Sequence, residues 1–179
     1  MAQQTSDIDR INELDSLLRR IDQGSFERAC LSMKEGVYAY APWYSHALTS
    51  LALLTAEDEL AYGQAELTDT GLAKIVIFTS TLVVAANIDI ADAADDQPFV
   101  RAFPRRTLAS LSLQAGQGVD QGGSRALAWP EQLTLELTYD GQEDVITLSG
   151  NAFDRFEPGD VGAIWTLLKQ LRGDLQAQV

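Results

Sequence analysis

The clearest pattern along the chain is a pair of apolar segments near its middle, residues 74–78 and 82–88. Both consist mainly of β-branched and apolar residues, and the polar triplet Thr79, Ser80 and Thr81 separates them. This pattern predicts a β-hairpin with a short polar turn. Because apolar residues occupy both sides of these strands, we expect other parts of the chain to cover at least one strand on both faces.

The N-terminal segment has a helical period instead. The sequence predicts a helix over residues 6–21 whose apolar seam consists of five aliphatic side chains: Ile8, Ile11, Leu14, Leu18 and Ile21. Charged residues between them, such as Asp15 and Arg19, are expected to face solvent. A second, shorter helix is predicted over residues 26–35, and Gly36 ends it.

The apolar seam of the first helix must be covered, because burying one such side chain is worth about 1.5–3 kcal/mol. Two covers are compatible with the sequence. The seam can pack on the main domain, or it can pair with a second copy of the chain in an isologous homodimer. Both alternatives stay open at this point.

The next segment, residues 37–44, is rich in aromatic residues and is interrupted by Pro42. It predicts an extended connector whose rings pack on an apolar surface, and an aromatic wall facing a ligand is the alternative. Residues 45–54 carry apolar side chains at helical spacing and predict a helix, although their partial alternation also allows a strand.

From residue 60 onward the apolar period changes to two, which predicts strands. The predicted strands besides the central hairpin cover residues 60–67, 99–113, 133–139 and 145–148, and Gly63 marks a possible bulge in the first of them. Pro104 predicts a bend or an edge position within 99–113. A final amphipathic helix is predicted to begin near residue 160 and to end near residue 171.

Four of these segments resemble, in order and spacing, the bacterial pleckstrin-homology-like domains. They are TDTGLAKIVIFTSTLVVA from Thr68, FPRRTLASLSL from Phe103, LTLELTYDGQEDVITL from Leu133 and VGAIWTLLKQL from Val161. The resemblance covers residues 60–171. It implies an α+β fold, with an antiparallel, strongly bent β-sheet or barrel of about six to seven strands closed by a C-terminal helix.

The resemblance also implies a domain organisation. We expect an N-terminal helical extension over residues 1–56 and a PH-like β-domain with the C-terminal helix over residues 57–179. Phosphoinositide-binding members of the family place several lysines and arginines around the first turn between strands. The matching turn here, residues 68–71, has only Lys74 beyond it.

Charge and composition narrow the classes of partner. The chain has 13 basic and 26 acidic residues and a formal net charge of −13, which opposes nonspecific attraction to nucleic acid or to anionic lipid. We therefore expect no nucleic-acid partner, and membrane binding is disfavoured. The sequence shows no secretory signal and no long apolar span, and its single Cys30 fits a reducing compartment, so a cytoplasmic location is expected.

No residue set defines a reaction. Cys30 and the single His46 could form a thiolate and its base, but no nucleophile motif surrounds either residue. Four aspartates, Asp89, Asp92, Asp95 and Asp96, lack the spacing and the glycine of a calcium loop. The glycine-rich residues 114–124 lack the Lys-Ser or Lys-Thr of a phosphate-binding loop. We predict no catalytic residue, no metal and no cofactor.

The candidate binding residues are the basic side chains near the predicted sheet: Lys74, Arg101, Arg105 and Arg106. They can recognise an acidic peptide, a phosphate or a headgroup, or they can pair with acidic side chains of the chain itself. The sequence as a whole favours a noncatalytic binding or scaffolding module with an unidentified protein partner. A lipid-headgroup module and a cryptic enzyme are the alternatives.

Overall fold

The computed structural model describes residues 2–19, 25–34, 36–56, 58–91, 99–116, 132–151 and 160–177. The chain divides into two compact units, Met1–Pro104 and Arg105–Val179.

The first unit contains three helices and six strands among the described residues. They are α1 (Ala2–Arg19), α2 (Ser25–Cys30), β1 (Leu31–Lys34), β2 (Val37–Tyr40), α3 (Pro42–Thr55), β3 (Leu60–Leu67), β4 (Leu72–Thr79), β5 (Leu82–Asp89) and β6 (Val100–Pro104). The second unit begins with a short 3-10 helix (Arg105–Thr107). It continues with β7 (Leu108–Gly116), β8 (Gln132–Tyr139), β9 (Ile146–Asn151) and α4 (Val161–Gln176).

The fold is α+β with antiparallel sheets and a C-terminal helix. The strands form three separate sheets with the orders β1-β2, β3-β4-β5-β6 and β7-β8-β9. None of the three closes into a barrel within the described residues, so the single bent sheet or barrel expected from the sequence is not confirmed. The predicted strand 99–113 is interrupted because β6 ends at Pro104 and a 3-10 turn follows. After this turn the chain pairs with β8.

The core of the first unit lies between its helices and one face of the β3–β6 sheet. Leu14 and Leu18 of α1 are fully buried there together with Leu48 and Leu51 of α3. At Gly63 of β3 an added Cβ would lie 2.6 Å from a methyl group of Leu17, so α1 approaches the sheet more closely than alanine would allow. The N-terminal helices pack on this sheet and lie with it in the first compact unit. The predicted domain boundary at residue 56 stays a prediction.

Several predicted elements are confirmed. The central hairpin is formed by β4 and β5, and β4 is buried on both faces, with Val76 and Phe78 on one side and Ile75 and Ile77 on the other. The predicted helix at residues 45–54 is the main part of α3. In the second unit, β8 and β9 form the predicted hairpin, and α4 buries an apolar stripe consisting of Val161, Ile164, Leu167, Leu168 and Leu171.

Three local predictions are wrong. The predicted helix 26–35 ends at Cys30, and the chain continues as β1. The predicted extended connector 37–44 is divided between β2 and the first turn of α3, which begins at Pro42. The register shift in β3 falls between Leu60 and Tyr62 and not at Gly63, whose missing side chain instead makes room for α1.

Asp58 connects the segment after α3 to the β4–β5 turn, and it predicts a dependence of stability on pH. Its carboxylate accepts hydrogen bonds from Thr81 (2.5 Å) and Thr79 (2.7 Å), which lower the pKa of Asp58. A carboxyl with a lowered folded-state pKa stabilises the protein above its unfolded pKa of about 3.9, and this contribution is lost as the pH falls through the folded pKa. Urea unfolding at pH 7 and pH 3 should show a smaller acid-induced loss for Asp58→Asn than for the parent.

The control for this experiment is Asp69→Asn, which changes an exposed carboxyl in the β3–β4 turn. It should lose as much stability on acidification as the parent. Equal losses in all three proteins would show that Asp58 does not contribute.

Candidate functional site

The predicted basic residues are distributed over both units. Lys74 on β4 and Arg101 on β6 lie on the same face of the first unit's sheet, since Lys74 is opposite Asn87 and Arg101 is opposite Ala85 of the intervening strand. The Lys74 ammonium lies 3.5 Å from the carboxylate of Glu66 on β3. This pair is exposed and contributes little to stability.

Arg105 of the second unit has a structural role. Its guanidinium forms two hydrogen bonds to the carboxylate of Asp174 on α4, at 2.7 and 3.3 Å, and a third to the Gln170 side chain at 3.1 Å. Both partners of the ion pair are largely buried. Arg105 therefore attaches α4 to the 3-10 turn, while its neighbour Arg106 is exposed.

This geometry predicts that Arg105 stabilises the second unit. A lysine cannot make the two parallel bonds to Asp174, so Arg105→Lys should lower the free energy of unfolding by about 1–2 kcal/mol. Arg106→Lys is the matched control and should change it by less than about 0.5 kcal/mol. Urea unfolding followed by circular dichroism would measure both, and equal stability of the two variants would contradict the structural role.

The aliphatic seam of α1 lies mostly inside the first unit. Leu14 and Leu18 are fully buried in its core, Ile11 is partly buried against that core, and Ile8 is 56% exposed. Ile21 lies outside the described residues. Packing on the chain's own domain is thus the cover that this seam receives. The homodimer stays a prediction, but the two central leucines present no surface to a second copy.

A buried polar cluster connects α1, β2 and α3. The Asp15 carboxylate accepts hydrogen bonds from the Tyr40 hydroxyl (2.9 Å), the Tyr44 hydroxyl (3.0 Å) and the Arg19 guanidinium. Asp15 is only 5% exposed, so the expectation that it faces solvent is wrong. Arg19 also lies over the Tyr40 ring, 5.8 Å from its centroid. Asp15 thereby fixes the end of β2 against both helices.

The β1–β2 hairpin carries an exposed apolar surface, which we call the hairpin surface. It consists of Met33, Val37, Tyr38 and Tyr40, which are 66%, 67%, 68% and 36% exposed. Met33 and Tyr38 are opposite each other on one face of the hairpin, and every residue of β2 is exposed. Gly36 at the tip has a φ of +81°, which other residues rarely adopt, so the sharp turn depends on this glycine.

The sequence pattern does not reveal this surface. The spacing of Met33 fits a helix, and the aromatic residues 37–44 are compatible with core packing or with a wall that faces a ligand. One sequence feature could have indicated the hairpin. A short apolar segment is followed by the pair Glu35-Gly36 and then by the alternating residues Val-Tyr-Ala-Tyr at 37–40, and this order is typical of a hairpin with a two-residue turn.

The catalytic and metal candidates do not come together. Cys30 is fully buried, whereas His46 lies exposed on α3. Asp89 bonds to the Ala91 amide at 3.0 Å, and the aspartates that follow it lie outside the described residues, as does most of the glycine-rich loop. Among the residues that the structure describes, no group of three or more side chains could hold a metal ion.

Comparison with known protein families, characterised proteins and solved structures finds no match for this chain. Over the described residues, no helix combines the length and the apolar character needed to cross a membrane. The exposure of its apolar residues makes the hairpin surface the candidate site among the described residues.

Proposed function

We propose that the chain is a noncatalytic protein-binding module and that the hairpin surface is its binding site. The observation that carries this proposal is the exposure of Met33, Val37 and Tyr38 on one short hairpin. Met33 and Tyr38 lie opposite each other on one face of this hairpin, and exposed apolar and aromatic residues of this kind are typical of a protein interface. A two-stranded hairpin is also only marginally stable by itself, so a partner would stabilise it.

The other functions have less support. An enzyme needs a nucleophile and a base that reach a common substrate, whereas the buried thiol of Cys30 and the exposed imidazole of His46 do not offer this arrangement. A lipid-headgroup module needs available cations. Lys74 and Arg105 each pair with an acidic side chain, and the net charge of −13 opposes anionic lipid.

We also propose that residues 60–171 form a PH-like β-domain, in which the sheets belong to one strongly bent arrangement. The order of elements supports this proposal. A four-stranded antiparallel sheet, a three-stranded antiparallel sheet and the helix α4 follow one another along the described chain. A cytoplasmic location fits the single buried thiol of Cys30.

Site-specific photo-crosslinking in cells tests the binding site. A photoreactive phenylalanine derivative at position 38 should give an adduct with a protein, and this adduct should disappear when Met33→Lys is added. The control position is Leu53, which is 72% exposed on α3 and should give no such adduct. No protein adduct at position 38, or retention of the purified chain on anionic vesicles at physiological salt, would contradict the proposal.

A further inference from the structure

We infer that the partner of the hairpin surface is a second copy of this chain, and that two β2 strands pair antiparallel about a twofold axis at Ala39. This inference rests on the proposed function, because it names the partner of the same site. It predicts a four-stranded sheet with the order β1-β2-β2-β1. Such a sheet removes the open edge that β2 has among the described residues.

The direction of the backbone groups follows from the hairpin register. Residues opposite each other in an antiparallel pair alternate between hydrogen-bonded and non-hydrogen-bonded positions. The Ala41 amide donates to the Cys30 carbonyl at 2.8 Å, and the register continues this pairing to Ser32 and Ala39. The amide and carbonyl of Ala39 therefore point toward β1. Those of Tyr38, one residue away, point toward the open edge of β2, and so do those of Tyr40.

A twofold axis at Ala39 brings these outward groups together. It places Tyr38 opposite Tyr40 of the second copy, and Tyr40 opposite Tyr38 of the second copy. Each of these two pairs can exchange two N–H···O bonds, because the four backbone groups face one another. The two Ala39 residues meet at the axis in the non-hydrogen-bonded position, where side chains approach most closely and where alanine is small enough to fit.

The side chains complement this backbone pairing. Tyr38 and Tyr40 lie on the same face of β2, so each tyrosine meets a tyrosine across the new strand pair, a favourable cross-strand combination. Of the side chains on β2, Tyr38 and Val37 are about two-thirds exposed and Tyr40 about one-third, so pairing would bury about 300 Å² of each copy. The total of about 600 Å² lies below the roughly 1,000 Å² of a stable specific interface, so we expect a weak dimer.

The strand is short, with four residues, but its composition does not prevent such pairing. Natural edge strands are protected by charged side chains, proline or bulges, and residues 37–40 contain none of these. The net charge of −13 makes two copies repel each other at long range. Screening by salt should therefore strengthen the dimer, whereas a basic protein partner would bind more weakly at high salt.

Analytical ultracentrifugation of the full chain from about 1 to 200 µM tests the inference. We expect a monomer–dimer equilibrium whose dissociation constant falls when NaCl is raised from 20 to 300 mM. Tyr38→Lys should raise that constant about 30-fold or more, because it places a charge in the new strand pair. Leu53→Lys makes the same change of charge at an equally exposed leucine and should leave the constant unchanged.

Amide exchange identifies the paired strand even if a variant folds poorly. In the parent, the Tyr38 and Tyr40 amides should become protected as the protein concentration rises. The Ala39 amide donates within the hairpin, so it should already be protected in the monomer and should gain less protection than the Tyr38 and Tyr40 amides as the concentration rises. A proline at position 39 would remove this hydrogen bond within the hairpin, so it is not a suitable variant.

Three results would overturn the inference: a monomer at 200 µM, a dimer that persists in Tyr38→Lys, or protection that does not depend on concentration at Tyr38 and Tyr40. A monomeric parent that still gives an adduct with another protein at position 38 would overturn the second copy as partner and leave the proposed function standing. The absence of any adduct there would contradict the proposed function itself.

Discussion

Replacing Leu14 with alanine is expected to lower the free energy of unfolding by about 2–5 kcal/mol. Leu14 has no exposed surface and lies in the core between α1, α3 and the β3–β6 sheet. Alanine would remove the transfer free energy of the side chain and leave a cavity that the close contact between α1 and Gly63 prevents from collapsing. Urea unfolding followed by circular dichroism would measure the loss.

The control is Ile8→Ala on the same helix. Ile8 is 56% exposed, so its truncation should cost less than about 0.5 kcal/mol. Burial of these leucines also limits any test of association through the α1 seam. Leu14→Asp or Leu18→Asp would unfold the first unit, so neither variant would report on a contact between two copies. Equal effects of Leu14→Ala and Ile8→Ala would show that α1 does not pack as the structure describes.

The sequence pattern predicts the elements in which the apolar period continues over many residues. It does not predict elements in which the patterned segment is short. The α1 helix, the β4–β5 hairpin and the helix α4 each repeat their pattern over several turns or pairs, and all three are present. The hairpin at residues 31–40 has only four residues in each strand. Phe26, Cys30 and Met33 also fit a helical spacing, so the sequence alone did not distinguish the two structures.

The sequence could indicate that the seam of α1 needed a cover, but not which cover. That choice depends on where the β3–β6 sheet lies, and Gly63 shows how the sheet accommodates the helix. The acidic partners of two basic residues could not be predicted from the sequence for a similar reason. Lys74 and Arg105 find acidic partners on other elements, Glu66 and Asp174, and such pairs between distant segments are not visible in a linear pattern.

Asp15 was misplaced because an acidic residue is ordinarily exposed. Its burial becomes favourable only when hydroxyl and guanidinium donors from β2, α3 and α1 converge on it. Two of these donors, Tyr40 and Tyr44, were interpreted from sequence as core aromatics. Tyrosine serves both purposes, since its ring packs while its hydroxyl finds a polar partner.

Replacing Asp15 with alanine should therefore destabilise the first unit by about 3–5 kcal/mol. The variant would leave the Arg19 charge and the hydroxyls of Tyr40 and Tyr44 without their common acceptor in a partly buried site.

The same cluster affects the titration of Tyr44. Burial raises the pKa of Tyr44, and the neighbouring Cys30 and Asp15 raise it further. A group whose folded pKa is raised contributes stability below its unfolded pKa, so the contribution of Tyr44 should be complete up to about pH 10 and should be lost above it.

Asp9→Ala changes an exposed aspartate of the same helix and is the control, with an expected loss below about 0.5 kcal/mol. A double-mutant cycle between Asp15→Asn and Tyr44→Phe would measure the coupling of the buried pair, which we expect to be about 1–3 kcal/mol. A coupling near zero would mean that Asp15 and Tyr44 act independently. Because Tyr40 shares the same carboxylate, loss of Asp15 should also increase amide exchange in β2, which would show that this buried cluster positions the hairpin surface.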